Sequence, residues 1–209
     1  MLDRRNAPMS PEPRTEAHPT ITERWRKRRV LQRSGRAEVA KTRYWTVVMA
    51  KRNYLVEGLS GTGKSSVHDE LTRRGYNSIT ADRAWAYHAD PQTGLPGWSI
   101  HHDNWMWDQQ KAVSELESPE PEVLFVCGSS RNRDHFLHYF TKIFNLRIDN
   151  DTMRHRLQER TADDWELGPE AIELMLELNQ SDEKPPGAID VDATQPLNQV
   201  VDELLRLAN

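Results

Sequence analysis

Eight consecutive residues carry the clearest chemistry in this chain: Gly58-Leu59-Ser60-Gly61-Thr62-Gly63-Lys64-Ser65. They fit the spacing G-x-x-x-x-G-K-S without a mismatch, a pattern that binds phosphate for physical reasons. Gly58, Gly61 and Gly63 let the backbone enter turns closed to residues with a Cβ, so several N–H groups converge on one anion. A helix beginning at the end of the loop adds partial positive charge at the same point. Lys64 is long enough to reach the β- and γ-phosphates of a nucleotide, and the Ser65 hydroxyl suits a Mg²⁺ ion. Ser60, Thr62 and Ser66 complete the polar set expected around the phosphates.

The loop needs a strand before it and a helix after it. Residues 54–57 read as a short apolar strand, and residues 66–74 as a helix with Gly75 at its stop. Residues 77–82 read as a second strand ending in a carboxylate. That puts Asp82 at the carboxyl edge of a sheet, where open α/β folds bind ligands. There it can accept a proton or hold a magnesium-bound water; the plainer alternative is a strand-end cap. Residues 122–128 form the clearest strand, a continuous apolar run of the kind covered on both faces. Arg131 and Arg133 follow among small polar residues. They suit an anionic substrate or a phosphate, or they are surface arginines beside a cap. Strands at 142–149 and 188–193 complete a set of five, with helices expected at 134–141, 152–161, 169–180 and 196–207. Asp151 is placed to cap the second of these.

Two segments stand out from this alternation. Residues 83–117 hold Arg83 and four of the seven tryptophans, Trp85, Trp98, Trp105 and Trp107. Aromatic faces among polar groups suit a flat or ring-bearing ligand. Packing of a small insert is the other reading, with residues 104–117 helical. His101, His102 and Asp103 are adjacent, and neighbours on a helix point apart, which disfavours a metal site. Arg156 and Arg160 are spaced i,i+4 beside the loop 162–168, so the two can clamp a polyphosphate.

Composition excludes other classes. The 209 residues are 36% hydrophobic with a mean hydropathy of −0.82. No apolar run is long enough to span a membrane, and the basic N-terminus lacks the apolar stretch of a secretory signal. The single cysteine, Cys127, sits in a strand pattern and reads as a small buried hydrophobe, with no disulfide framework possible within the chain. Charge divides the chain. Residues 1–48 carry 12 Lys+Arg against 5 Asp+Glu, a net of +7; the other 16 and 27 give −11, and the sum is −4. The proline-rich first 20 residues are expected to be disordered. The basic stretch 24–43 is a solvated extension or a nucleic-acid-binding arm. Met49 also reads as the natural start of a compact protein, with residues 1–48 a start-site artefact. The expected organisation is therefore an extension, 1–48, and a domain, 49–209, in the cytoplasm.

Five strands alternating with helices, with the phosphate loop after the first, make an α/β class chain. Residues 51–209 resemble the small P-loop kinases of the adenylate-kinase, shikimate-kinase and gluconate-kinase type. The likeness rests on Gly58 to Ser65, Asp82, Arg156-Leu157-x-x-Arg160, and Asp192-Ala193-Thr194-x-Pro-Leu before the last helix. It implies a three-layer αβα fold with a five-stranded parallel sheet in the order 2-3-1-4-5. It also implies a substrate insert at 83–117 and a lid at 156–168. ATP and Mg²⁺ are the implied cofactors. Arg160, with Arg156, would meet ATP phosphates, and Asp192, Ala193 and Thr194 would lie by the adenine. The implied activity is ATP-dependent phosphoryl transfer to a small-molecule acceptor. Lys64, Asp82 and Arg160 would be catalytic, and Asp82, Arg83, Trp85, Trp105, Arg131 and Arg133 would face the acceptor. The tryptophan-rich segment matches neither nucleotide-kinase nor shikimate-kinase signatures. The expected partners are a nucleotide and a small-molecule acceptor, with no membrane, nucleic acid only through the basic stretch, and a monomer or dimer. An ATPase or switch module, or a nucleotide-binding module without turnover, is the alternative. The guanine signature Asn-Lys-x-Asp is missing, and no Asp ends the third strand.

Overall fold

The computed structural model describes residues 51–90, 92–97, 102–159, 169–181 and 183–209. The expectations for the extension 1–48, for Trp98 and His101, and for Arg160 with the rest of the lid, residues 161–168, fall outside them.

Five parallel strands form the central sheet: β1 Arg52–Glu57, β2 Ser78–Thr80, β5 Val123–Cys127, β6 Phe140–Arg147 and β7 Ile189–Asp192. Their order is β2-β5-β1-β6-β7. Counted along the chain within this sheet alone, that is the expected 2-3-1-4-5. The phosphate loop therefore leaves the central strand, with two neighbours on each side.

Side-chain alternation builds the layers, because successive residues of a strand point to opposite faces. Tyr54 and Val56 of β1, with Phe125 and Cys127 of β5, join one core with Val67, Leu71, Met153, Leu157, Val201 and Leu204. That core lies beneath helices α1 Lys64–Arg73, α4 Asn150–Gln158, α5 Pro169–Gln180 and α6 Leu197–Ala208. Leu55, Leu124 and Val126 point the other way, into a second core with Trp85, Trp107, Ala112, Leu116 and Phe136. Helix α3, Gln109–Glu117, covers that face. Cys127, on the first face, is fully buried between the sheet and its helices, and burial pushes its thiol up to about 12.

Several local expectations are corrected. Residues 104–107 are not the start of a helix. Trp105–Trp107 is strand β4, paired antiparallel with β3, Ala86–His88, in a two-stranded ribbon. Asp108 then caps α3 by accepting from Lys111 N. Aromatic side chains favour this ribbon because they pack across strands more readily than along one turn of helix. Residues 134–141 are not one helix either. Two short 3₁₀ turns, Arg133–His135 and Leu137–Tyr139, lead directly into β6. Phe136 between them is fully buried against Trp107, their rings 5.6 Å apart. The cap of α4 is Asp149, not Asp151: its carboxylate accepts from Thr152 N at 2.7 Å. A short helix α2, Ala81–Ala84, begins right after β2, so Asp82 lies in its first turn, not in the strand.

Candidate active site

The carboxyl ends of β1, β2 and β5, the start of α1 and the turn after β7 surround a cleft of about 770 Å³. The phosphate loop forms its floor from Leu59 to Ser66. Gly63 caps α1 in a left-handed conformation, φ 105°, which only glycine adopts without strain. Lys64 Nζ donates to the carbonyls of Gly58 at 2.7 Å and Leu59 at 3.1 Å. The ammonium is thus folded back over the loop's own start, and an arriving phosphate offers it stronger, charge-assisted acceptors. Thr62 is buried, its hydroxyl donating to Leu59 O, which ties the loop to itself on the cleft floor. Ser65 and Ser66 are exposed at the helix start and line the cleft.

Across the cleft stand Thr80, Asp82, Arg83, Trp105 and Ser129. Asp82 Oδ1 accepts from Ser129 N at 3.1 Å and from Trp105 Nε1 at 3.4 Å. The insert, the β5 turn and the carboxylate are joined by those two bonds. Gly128 makes the approach possible. A Cβ there would lie 2.8 Å from Ala81 Cβ and 2.9 Å from Asp82 Oδ1. Trp85, expected at the acceptor, is not brought to the cleft. It is 4% exposed and stands edge-on to Trp107 in the core, their rings 5.4 Å apart.

Arg156 reaches the loop from α4. Its Nη1 donates to Thr62 O at 3.3 Å and its Nη2 to Ala193 O at 2.9 Å, which fastens the phosphate loop to the end of β7. Ala193, Leu197, Val200 and Met175 give the cleft an apolar wall, with the amide of Gln195 at its edge. Asp192 and Thr194 are exposed. The Asp192 carboxylate accepts from Thr194 N at 2.9 Å and Gln195 Nε2 at 2.8 Å, and so shapes the turn.

Arg131 and Arg133 lie beside the cleft, already paired. Arg131 Nη1 donates to Glu183 Oε1 at 2.8 Å; Arg133 Nη1 donates to Glu57 Oε1 at 2.9 Å. Glu57 and Glu183 were missed in the sequence. Glu57 sits one residue before the loop, in a run that reads as plain strand. Glu183 follows α5 and comes near only through the fold. Burial pushes the Glu57 carboxyl up to about 7, while Arg133 and then Lys64 pull it down. That value lies in the range suited to proton transfer near neutral pH. The one cue available earlier was a charged residue ending a strand whose other members are apolar.

No metal-sized cluster of three His, Cys, Asp or Glu exists among the described residues, and no described helix is long and apolar enough to cross a membrane. No protein-family model and no curated protein matches the chain. Solved structures do. A gluconokinase from Sinorhizobium meliloti 1021 is 23% identical, with 75% of this chain and 93% of that one covered and a TM-score of 0.48. A sugar kinase from Janibacter sp. HTCC2649 is 17% identical over 75% and 93%, also at 0.48. A deoxyadenosine kinase from M. mycoides, solved with bound dATP, is 14% identical over 75% and 98%, again at 0.48.

Proposed function

We propose that this chain transfers a phosphoryl group from ATP to a hydroxyl of a small molecule. One observation carries the reading: a matched phosphate loop forms the floor of a single cleft that also holds Asp82, Arg83 and Trp105 on one side and Arg156 with an apolar wall on the other. Phosphoryl transfer depends on positioning and charge neutralisation more than on covalent chemistry. The ATP phosphates would lie on Gly61, Gly63 and Lys64, and the base against the wall of Ala193, Leu197 and Val200. Arg156 is near enough to meet the phosphates. Ser65 and Asp82, which both line the cleft, would hold a magnesium ion; when bound, that ion would neutralise charge on the transferring group. The acceptor would enter from the side of Asp82 and Trp105, and Asp82 would take its proton.

The test is phosphate transfer in purified protein, followed as ADP formed with and without candidate acceptors. Lys64→Ala should abolish most acceptor-dependent turnover while the fold stays intact, since Lys64 is part-exposed on the loop and its ammonium donates to the carbonyls of Gly58 and Leu59. Asp82→Asn keeps size and removes charge; it should cut transfer by roughly 10²-fold or more with little change in ATP affinity. Unchanged turnover in Lys64→Ala would end the reading. ADP formation that never responds to any acceptor would favour an ATPase instead.

A further inference from the structure

Beside the main cleft a smaller chamber opens, of about 40 Å³, sharing Leu59, Trp105 and Ser129 with it. That is room for roughly three water molecules, so for one or two hydroxyl-sized groups of a larger molecule seated in the cleft. The walls are charged, yet Arg131 and Arg133 already face carboxylates. Arg131 lies on Glu183 at 2.8 Å and near Asp103 at 3.6 Å. Arg133 lies on Glu57 at 2.9 Å and on Glu183 at 3.3 Å. Arg147 stands in the field of Asp190. One polar atom differs. Oε2 of Glu57 is buried and has no hydrogen-bond partner among the described residues, on a side chain only 4% exposed.

We infer that this chamber selects an uncharged, polyhydroxylated acceptor, with Glu57 Oε2 accepting a hydrogen bond from one of its hydroxyls, and that it rejects acceptors carrying a carboxylate or phosphate at that end. The inference rests on the phosphoryl-transfer reading and narrows its substrate class. It also reverses the expectation that Arg131 and Arg133 hold an anion. An anionic group would have to displace Glu57 or Glu183 from the guanidiniums. Displacing Glu57 takes the Arg133 charge from a buried carboxyl, which must then take up a proton or stay buried and uncompensated, and either costs free energy. Leaving Glu183 in place on both arginines brings two anions into contact. A cation meets Arg131, Arg133 and Arg147 instead. A hydroxyl escapes both costs, because it donates to Oε2 and accepts from a guanidinium N–H. Trp105, on the wall shared by the two spaces, offers a face for the carbon skeleton.

Matched acceptor pairs test this: a hexose against its aldonic acid, glycerol against glycerate, and nucleosides against their 5′-monophosphates, each assayed for ATP-dependent transfer in the full chain. The neutral member should be preferred in kcat/KM by about 10²-fold or more in at least one pair. Glu183→Gln removes one of the shared anions at a side chain 39% exposed, where folding is not at stake. It should narrow that ratio by about tenfold, through a gain on the anionic member. Preference for the anionic member, or equal use of both, overturns the inference and leaves the kinase reading standing, since transfer has occurred. A ratio unchanged in Glu183→Gln overturns the assignment of rejection to this chamber. No transfer to either member of any pair, with ADP formed at the same rate whether or not an acceptor is present, overturns the kinase reading and this inference with it.

Discussion

Glu57 ends β1 one residue before the phosphate loop, 3% exposed, with one oxygen on Arg133 and the other without a partner among the described residues. Its carboxyl ionises near 4.5 in an unfolded chain, and burial raises it to about 7 in the folded one. Between those values the folded state binds more protons, so its stabilising share is full below pH 4.5 and is lost as pH rises toward 7. One pKa unit corresponds to about 1.4 kcal/mol, which sets an outer bound of roughly 3 kcal/mol on that loss. Glu57→Gln keeps the shape and removes the charge. The melting temperature of the wild type should fall from pH 5 to pH 8, and the variant's should fall less. Parallel curves across that window would mean that another group carries the dependence. Lys64, by contrast, declares its role by spacing alone: no comparable pattern flags Glu57, whose chemistry comes from what the fold packs around it.

At the scale of elements, the join between β5 and α2 decides where Asp82 points. Gly128, directly after β5, lies against the first turn of α2 at a distance that leaves no room for a methyl group. Gly128→Ala should therefore push α2 off the sheet. We expect a stability loss of about 1–3 kcal/mol, typical of overpacking at a tight contact. The same change should reduce acceptor transfer, because Asp82 loses its bonds from Ser129 N and Trp105 Nε1. Denaturant titration together with the ADP assay checks both effects, and an alanine variant with wild-type stability would show that this contact relaxes freely. The expected strands were legible here because their apolar runs are long or bounded by turn residues. The β3–β4 ribbon was not. Three-residue strands carry no periodicity to read, and Ala86–His88 pairs with Trp105–Trp107 across a separation that local pattern cannot see.

The whole molecule places one cation where several elements meet. Arg156 ties α4 to Thr62 in the phosphate loop and to Ala193 after β7, so nucleotide binding should tighten contacts across all three. A ligand that binds the folded state alone stabilises it by about 2.7 kcal/mol at a hundred times its dissociation constant. Saturating ATP with magnesium should accordingly raise the melting temperature, by several degrees for a chain of this size. Arg156→Ala should shrink that rise and weaken ATP binding without abolishing the fold; a full ATP-induced shift in the variant would remove Arg156 from the nucleotide site. The strand order 2-3-1-4-5 was implied by the resemblance to the small P-loop kinases; the sequence by itself determined the phosphate loop and the five-stranded α/β class. Those rest on a fixed spacing and on apolar periodicity, which are local properties of the chain. Only the tertiary structure decided which charges share a space. It brought Glu57, Arg133 and Glu183 together from separate segments and sent Trp85 into the core while Trp105 reached the cleft. The physical reason is that burial and ion pairing depend on neighbours distant in the chain, and no local pattern encodes them.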